Sequence, residues 1–363
     1  MHPEPAGRPT QIAPIQVDGY EKVLRCRDAS SGLHALIAVH DTTLGPALGG
    51  MRMLPYASED EALFDVLRLA KGMTYKSAVA ETGLGGGKSV VIGDPGRDKR
   101  EPLFAAMGRF VEHLAGRYIT AADMNIGDAE LRQVRSQTRW VAGVAGTDGT
   151  SGNPSPYTAL GCIEGYRAML QELYGSEDFT GRHFVVQGVG AVGSRMVELL
   201  LERGARATVC DLDPAKADGL AKRVGCAVVA DENHLDVECD VYAPCARGAT
   251  LNDDTIPRLR CRAVGGCANN QLLEPRHAEA LQARGILYAP DYVINAGGII
   301  NVGCEFLPGG YDERASLERI ARIRTNLAHV FRLAREHKQT TREAAARLAE
   351  ERLGAGRSAR NAS

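Results

Sequence analysis

No apolar run in this 363-residue chain approaches the ~20 residues of a membrane-spanning helix. The first ten residues, M-H-P-E-P-A-G-R-P-T, lack the apolar stretch of a secretory signal and read as a disordered leader. An excess of one charge is missing too. The net value is −2, which argues against nucleic-acid or membrane-surface binding. The nine cysteines are odd in number and contain no C-x-x-C pair, so neither zinc-type spacing nor a disulfide framework is expected. Reduced, mostly buried thiols in a cytoplasmic protein are the expectation. The nine histidines show no H-E-x-x-H or paired spacing, so no metal site is expected. No solenoid-type repeat occurs. The glycine-rich G-T-D-G-T-S-G lacks the closing G-K-[ST] of a nucleotide-triphosphate loop.

What is present is a chain long enough for two cores, 44% hydrophobic and 24% charged. Residues 14–50 read as strands, 34–42 most clearly. Ser58 and Glu61 form a capping box before a helix with apolar residues at 62, 63, 66, 69, 70 and 73. A strand over 88–95, a helix over 104–114 and a strand over 117–123 follow. Gly143 to Pro156 is the hinge candidate. Beyond it strands and helices alternate, which implies a mostly parallel sheet. Residues 285–298 look strand-like, 312–353 helical with a break at 340–341, and the tail after 353 disordered.

Gly188-Val189-Gly190-Ala191-Val192-Gly193 is a G-x-G-x-x-G run between an apolar strand and an apolar-faced helix. Its glycines let backbone N–H groups approach a pyrophosphate at a helix N-terminus. Asp211 ends the next strand, 23 residues past the first glycine, placed to accept from an adenosine ribose. A carboxylate there repels a 2′-phosphate, so NAD is favoured over NADP. Asp213 is the alternative ribose ligand.

The second chemical signal is K-S-A-V-A-E-T-G-L-G-G-G-K, Lys76 to Lys88, read as two lysines flanking a glycine turn. Two neighbouring ammonium groups disfavour each other's charge. One can then hold a carboxylate while the other, with a lowered pKa, moves protons. The competing reading is two surface lysines, but three consecutive glycines usually mark close backbone approach.

The segments L-R-L-A-K-G-M-T-Y-K-S-A-V-A-E-T-G-L-G-G-G-K, S-G-N-P-S-P-Y-T-A-L-G, C-D-V-Y-A-P-C, A-N-N-Q-L and A-P-D-Y-V-I-N-A-G-G-I-I-N-V resemble the Glu/Leu/Phe/Val dehydrogenase family over roughly residues 12–353, most closely its leucine branch. The resemblance implies an α/β enzyme with two domains around a cleft. One is an N-terminal substrate and oligomerisation domain (1–147, plus a C-terminal helix over about 326–353). The other is a Rossmann NAD-binding domain (148–325), and 354–363 is left as tail. It implies reversible NAD-dependent deamination of an L-amino acid to a 2-oxo acid and ammonia by a homo-oligomer. By the same resemblance Lys88 and Asp123 are catalytic, Lys76 pairs with the substrate carboxylate, and Gly49 and Gly50 form a glycine turn beside it. Asn269 lies near the amino group and the nicotinamide. Thr158, Asn270 and Ala243, Pro244 and Cys245 pass along the cofactor. Leu48, Met73, Ala121, Ile299 and Val302 line the side-chain pocket. That lining is apolar without lysine or arginine, which disfavours glutamate, and its branched residues favour leucine, isoleucine or valine over aromatic substrates. A cofactor-binding sensor without turnover is the alternative of another class. Met124-Asn125 and Glu81-Thr82 depart from the leucine-branch pattern.

Overall fold

The computed structural model describes residues 11–146 and 149–362, and these divide into two compact units. The first comprises the chain up to Asn153 with Val302–Tyr311 and the segment from Arg352 onward. The second comprises Pro154–Asn301 and Asp312–Glu351. The expected leader and the 147/148 boundary lie outside the described residues.

In the first unit β1 (Gln11–Pro14), β2 (Lys22–Asp28), β3 (Leu33–Asp41) and β4 (Ala47–Leu54) precede helix α1 (Glu59–Ala80). Then come β5 (Gly85–Ile92), α2 (Glu101–Glu112), β6 (Tyr118–Ala122) and α3 (Asp128–Arg135). The sheet order is β1-β2-β3-β5-β4-β6, antiparallel from β1 to β5 and parallel across β5, β4 and β6. Strand β3 is apolar and buried from Ala35 to Val39 because helices cover both faces there. Leu36 and Ala38 pack with Ala62, Val66 and Ala70 of α1. Ala35, Ile37 and Val39 turn the other way, to Leu103, Met107 and Phe110 of α2. Ser58 starts α1, its Oγ accepting from the Glu61 N–H at 3.1 Å.

The three glycines before Lys88 are not a turn. They open β5, and the turn lies just upstream, where Glu81 and Gly83 take left-handed φ values of 52° and 75°. Their purpose is close approach. A Cβ on Gly86 would stand 2.1 Å from the Thr74 nitrogen of α1. Gly49 and Gly50 likewise lie inside β4, and a Cβ on Gly49 would stand 1.7 Å from the Gly87 oxygen.

The second unit begins with α4 (Ser155–Tyr174), β7 (His183–Gln187), α5 (Ala191–Leu201), β8 (Arg206–Cys210), α6 (Pro214–Val224), β9 (Ala227–Val228), β10 (Cys239–Pro244) and β11 (Cys261–Val264). It continues with α7 (His277–Ala283), β12 (Leu287–Tyr288), α8 (Asp291–Ile294), α9 (Gly297–Gly303), α10 (Glu313–His337) and the start of α11 (Thr341–Ala362). Its sheet, β12-β11-β10-β7-β8-β9, is parallel throughout. The order reverses between β7 and β10, the switch point at which doubly wound sheets bind dinucleotides.

Three expectations need correction. The 285–298 stretch supplies only the two-residue β12 and then turns helical through α8 and α9. The helices over 312–351 belong to the second unit, where α10 packs along α4, not to the first. The tail is helical: α11 runs to Ala362, with Arg357 beside Asp41 at 3.4 Å and Arg360 donating to the Thr42 carbonyl at 2.6 Å. Among the described residues no disulfide joins the nine cysteines. Among the described residues no helix is long and apolar enough to cross a membrane.

Gly86→Ala is expected to cost about 2–3 kcal/mol in urea unfolding, because the helix backbone opposite it has no room to give. Gly72→Ala, where nothing lies within 4 Å of the added carbon, should gain about 0.5–1 kcal/mol from helix propensity alone. Equal effects in the two variants would show that close approach is not what selects glycine at 86.

Candidate active site

Strand register gathers the chemistry of the first unit on the α1 face of the sheet. Lys88 pairs across with Ala38, whose side chain packs toward α1, and Gly50 pairs with Ala121. Side chains alternate along a strand, so Leu48, Gly50 and Arg52 of β4 share this face with Lys88, and Ala121 joins them from β6. Asp123 follows directly after β6. Its carboxylate forms an ion pair with the Lys88 ammonium and accepts from Arg52 Nε at 3.2 Å. Arg52 reaches on to Asp65 of α1 at 3.0 Å, where the Tyr56 hydroxyl also donates at 2.8 Å. The result is an alternating row, Lys88, Asp123, Arg52, Asp65.

Lys88 is 6% exposed. Burial lowers its pKa, Asp123 opposes that shift, and the Arg52 guanidinium adds to it. Arg52 is thus a cation neighbouring Lys88. Burial pushes Asp123 upward, but Lys88 and Arg52 outweigh it and hold the carboxyl below the ordinary aspartate range. Lys76 and Asp65, eleven residues and three turns apart, occupy one flank of α1, the flank that meets Arg52. Met73 lies on the same helix and is half-buried, as is Lys76, while Leu48 is fully buried. Gly49 belongs to the opposite face, where the buried Tyr118 hydroxyl donates to its carbonyl at 2.6 Å.

In the second unit each glycine of the 188–193 loop has a different job. Gly188 turns the chain at φ 97°, Gly190 has nothing within 4 Å of a built Cβ, and a Cβ on Gly193 would stand 2.1 Å from the Gly188 oxygen. Tight turn, open approach and close helix packing are the three roles a pyrophosphate loop needs. Ala191 and Val192 begin α5 beside the open position. Asp211 accepts from the Val189 N–H at 2.9 Å, so its carboxylate faces the loop. Asp213 is the N-cap of α6, accepting from the Ala215 N–H at 3.1 Å, and its own N–H donates to Asp211 at 3.0 Å.

Across the switch point, Ala243 and Pro244 end β10, and the Cys245 N–H donates to the Gln187 carbonyl at 2.7 Å. Asn269 accepts from Asn295 Nδ2 at 2.8 Å, and Asn270 sits in a left-handed turn with its N–H on Asp291. Thr158 lies in the first turn of α4, its hydroxyl donating to the Pro154 carbonyl at 3.1 Å. The expected pocket residues divide between the units: Val302 counts with the first and Ile299 with the second, both buried.

Known proteins match this chain over nearly its whole length. The family described as Glu/Leu/Phe/Val dehydrogenase, dimerisation domain, matches residues 20–140, and that described as Glutamate/Leucine/Phenylalanine/Valine dehydrogenase matches 209–360. Leucine dehydrogenase of Thermoactinomyces intermedius is 48% identical, covering 92% of this chain and 91% of its own.

The chain belongs to the Glu/Leu/Phe/Val dehydrogenase family.

Phenylalanine dehydrogenase of the same organism is 46% identical over 92% of each chain. The crystal structure of L-tryptophan dehydrogenase from Nostoc punctiforme superposes with a TM-score of 0.83 at 41% identity, covering 93% of this chain and 97% of that one. This Glu/Leu/Phe/Val dehydrogenase is therefore an NAD-dependent amino acid dehydrogenase with a dimerisation domain and a Rossmann-like domain. The glycine loop and Asp211 fit the cofactor on the geometry above.

Sequence reasoning missed Arg52, Asp65 and Tyr56. The signal was an arginine two residues beyond Gly50, at strand alternation from the glycine on the Lys88 face. The departures have structural work. Glu81 is the left-handed C-cap of α1 and pairs with Arg352 at 3.6 Å. Asn125 turns the chain at φ 62° and donates to the Met53 carbonyl at 3.0 Å.

Titration of 13C-labelled lysine by NMR should place the Lys88 resonance below the ordinary lysine range. Asp123→Asn removes the charge that raises the Lys88 pKa and should move it lower still. Arg52→Met removes a charge that lowers it and should move it higher. Shifts of the same sign in both variants would contradict the alternating-charge row.

Proposed function

We propose that this dehydrogenase deaminates branched-chain L-amino acids, leucine with isoleucine and valine, to their 2-oxo acids. The observation that carries the reading is Lys88: a buried, loosely protonated amine held on Asp123, on a sheet face otherwise lined by Leu48 and Ala121. NAD, when bound, supplies the hydride acceptor. Lys76 holds the substrate α-carboxylate as a permanent cation. Lys88, once neutral, takes a proton from the water that attacks the iminium carbon. Asp123, kept ionised by Lys88 and Arg52, receives a proton from the substrate amine and returns one to the departing ammonia. Gly49 and Gly50 let the substrate carboxylate approach the β4 backbone. Leu48, Met73, Ala121, Ile299 and Val302 face the side chain. Asn269, Asn270, Thr158 and residues 243–245 hold the nicotinamide end.

A glutamate side chain would need a cation at those five positions, since an unpaired buried charge costs several kcal/mol. A second reading, an aromatic substrate, is favoured by the small side chain of Ala121. It also fits the similarity to phenylalanine and tryptophan dehydrogenases. Homo-oligomeric assembly belongs to the same proposal and is supported by the dimerisation domain at 20–140. Cytoplasmic residence belongs to it as well, supported by nine cysteines that form no disulfide among the described residues.

A panel of L-amino acids followed by NADH absorbance tests the substrate. Leucine, isoleucine and valine should all react, because a methylene is worth only about 1–3 kcal/mol in an apolar pocket. A response confined to phenylalanine or tryptophan would overturn the branched-chain reading. Lys88→Ala should lose at least about a hundredfold in kcat while NAD still binds. Lys76→Ala should chiefly raise KM for the amino acid, since its charge serves ground and transition states alike. An unchanged KM removes Lys76 from carboxylate binding.

A further inference from the structure

Three donor groups of metal-binding type meet in the second unit away from the lysine. The Cys210 thiol ends β8, and Asp231 and His234 come from the six-residue 3-10 segment Asp231–Asp236 that follows β9. Their ligand atoms all lie within 4.8 Å of one another. With Zn–N, Zn–O and Zn–S bonds of about 2.0–2.3 Å, tetrahedral donors stand roughly 3.3–3.8 Å apart. Closing the remaining gap of about an ångström takes side-chain rotation rather than backbone movement.

A second observation points at the same corner. Among the described residues eight buried side-chain nitrogen or oxygen atoms have no hydrogen-bond partner, and three of them are Asp231 Oδ1, His234 Nδ1 and the Tyr242 hydroxyl. Tyr242 is 1% exposed and stacks on the His234 ring, centroids 5.5 Å apart and planes within 6°. Buried polar atoms are ordinarily paired, and leaving three unpaired in one place costs free energy that a bound ion would return.

We propose that Cys210, Asp231 and His234 form a binding site for a divalent transition metal of the zinc type, backing the cofactor-binding loop. One sulfur, one nitrogen and one oxygen donor suit Zn2+ or Co2+ rather than Mg2+ or Ca2+. The site adjoins the ribose carboxylate: Asp211 follows Cys210 directly, and the Cys210 carbonyl accepts from the Gly188 N–H at 2.8 Å. An ion there ties the end of β8 to the Asp231–Asp236 segment and fixes the strand end from which Asp211 projects. No spacing signal marks these donors because they come from two separate segments joined only by the fold.

Co2+ titration of the full-length, metal-free protein tests this. One equivalent should bring up a sulfur-to-cobalt charge-transfer band in the near ultraviolet together with visible bands of tetrahedral cobalt, and one equivalent of Zn2+ should remove both. Cys210→Ser should abolish the charge-transfer band. His234→Gln should keep the fold, checked by thermal melting without metal, and weaken Co2+ at least about tenfold. Bands that persist in both variants belong to another of the nine cysteines and overturn the proposal. So does the absence of any sulfur-to-cobalt band in the unaltered protein.

Discussion

A buried ammonium held against a buried carboxylate is the constraint around which the first unit is arranged. Removing either ion from water costs several kcal/mol, and one without the other is worse by about 3–5 kcal/mol. Lys88 and Asp123 therefore come as a pair, and Arg52 and Asp65 extend the pair into a row of four whose formal charges cancel. Once Lys88 gives up its proton the row carries one net negative charge. That is the state in which the Asp123 end of the row attracts a cation.

The row needs strands packed closer than side chains allow. Gly86 lets α1 lie against β5, Gly49 and Gly87 let β4 and β5 pass, and Gly50 clears the Cβ of Asp123, which would stand 2.7 Å from a Cβ there. The second unit uses glycine for another reason at one place: Gly190 is open, so its backbone is free to approach a pyrophosphate. The two glycine-rich segments thus answer to different physics. One clears room for the protein's own backbone and the other leaves room for a ligand.

Local signals were legible in the sequence. The Ser58 cap, the apolar period of α1 and the β7–α5–β8 unit follow from short segments, and Lys88 and Asp123 were singled out by the resemblance, though not their ion pair. What escaped depends on distant partners. Arg52 acts through Asp123, 71 residues away, and shows no local pattern. The glycine run looks like a turn because its strand character comes from flanking β3 and β4, not from its own composition. The tail is polar enough to suggest disorder, yet Arg352 donates to the Val79 carbonyl at 2.6 Å at the end of α1, whose last turn has no basic residue of its own. The caps of two helices are thereby written far apart: α1 finishes on a guanidinium from α11.

Substrate choice rests on far fewer residues than fold does. Two dehydrogenases of Thermoactinomyces intermedius, one for leucine and one for phenylalanine, stand at 48% and 46% identity to this chain. Global similarity of that size records the shared fold and chemistry, while the difference between an isobutyl and a benzyl group falls on a handful of side chains. In the strand register, Leu48 is fixed inside β4 at 1% exposure with a neighbouring strand on either side, while Ala121 stands partly exposed near the end of β6, so the two positions differ sharply in the freedom they leave for a change of side-chain size.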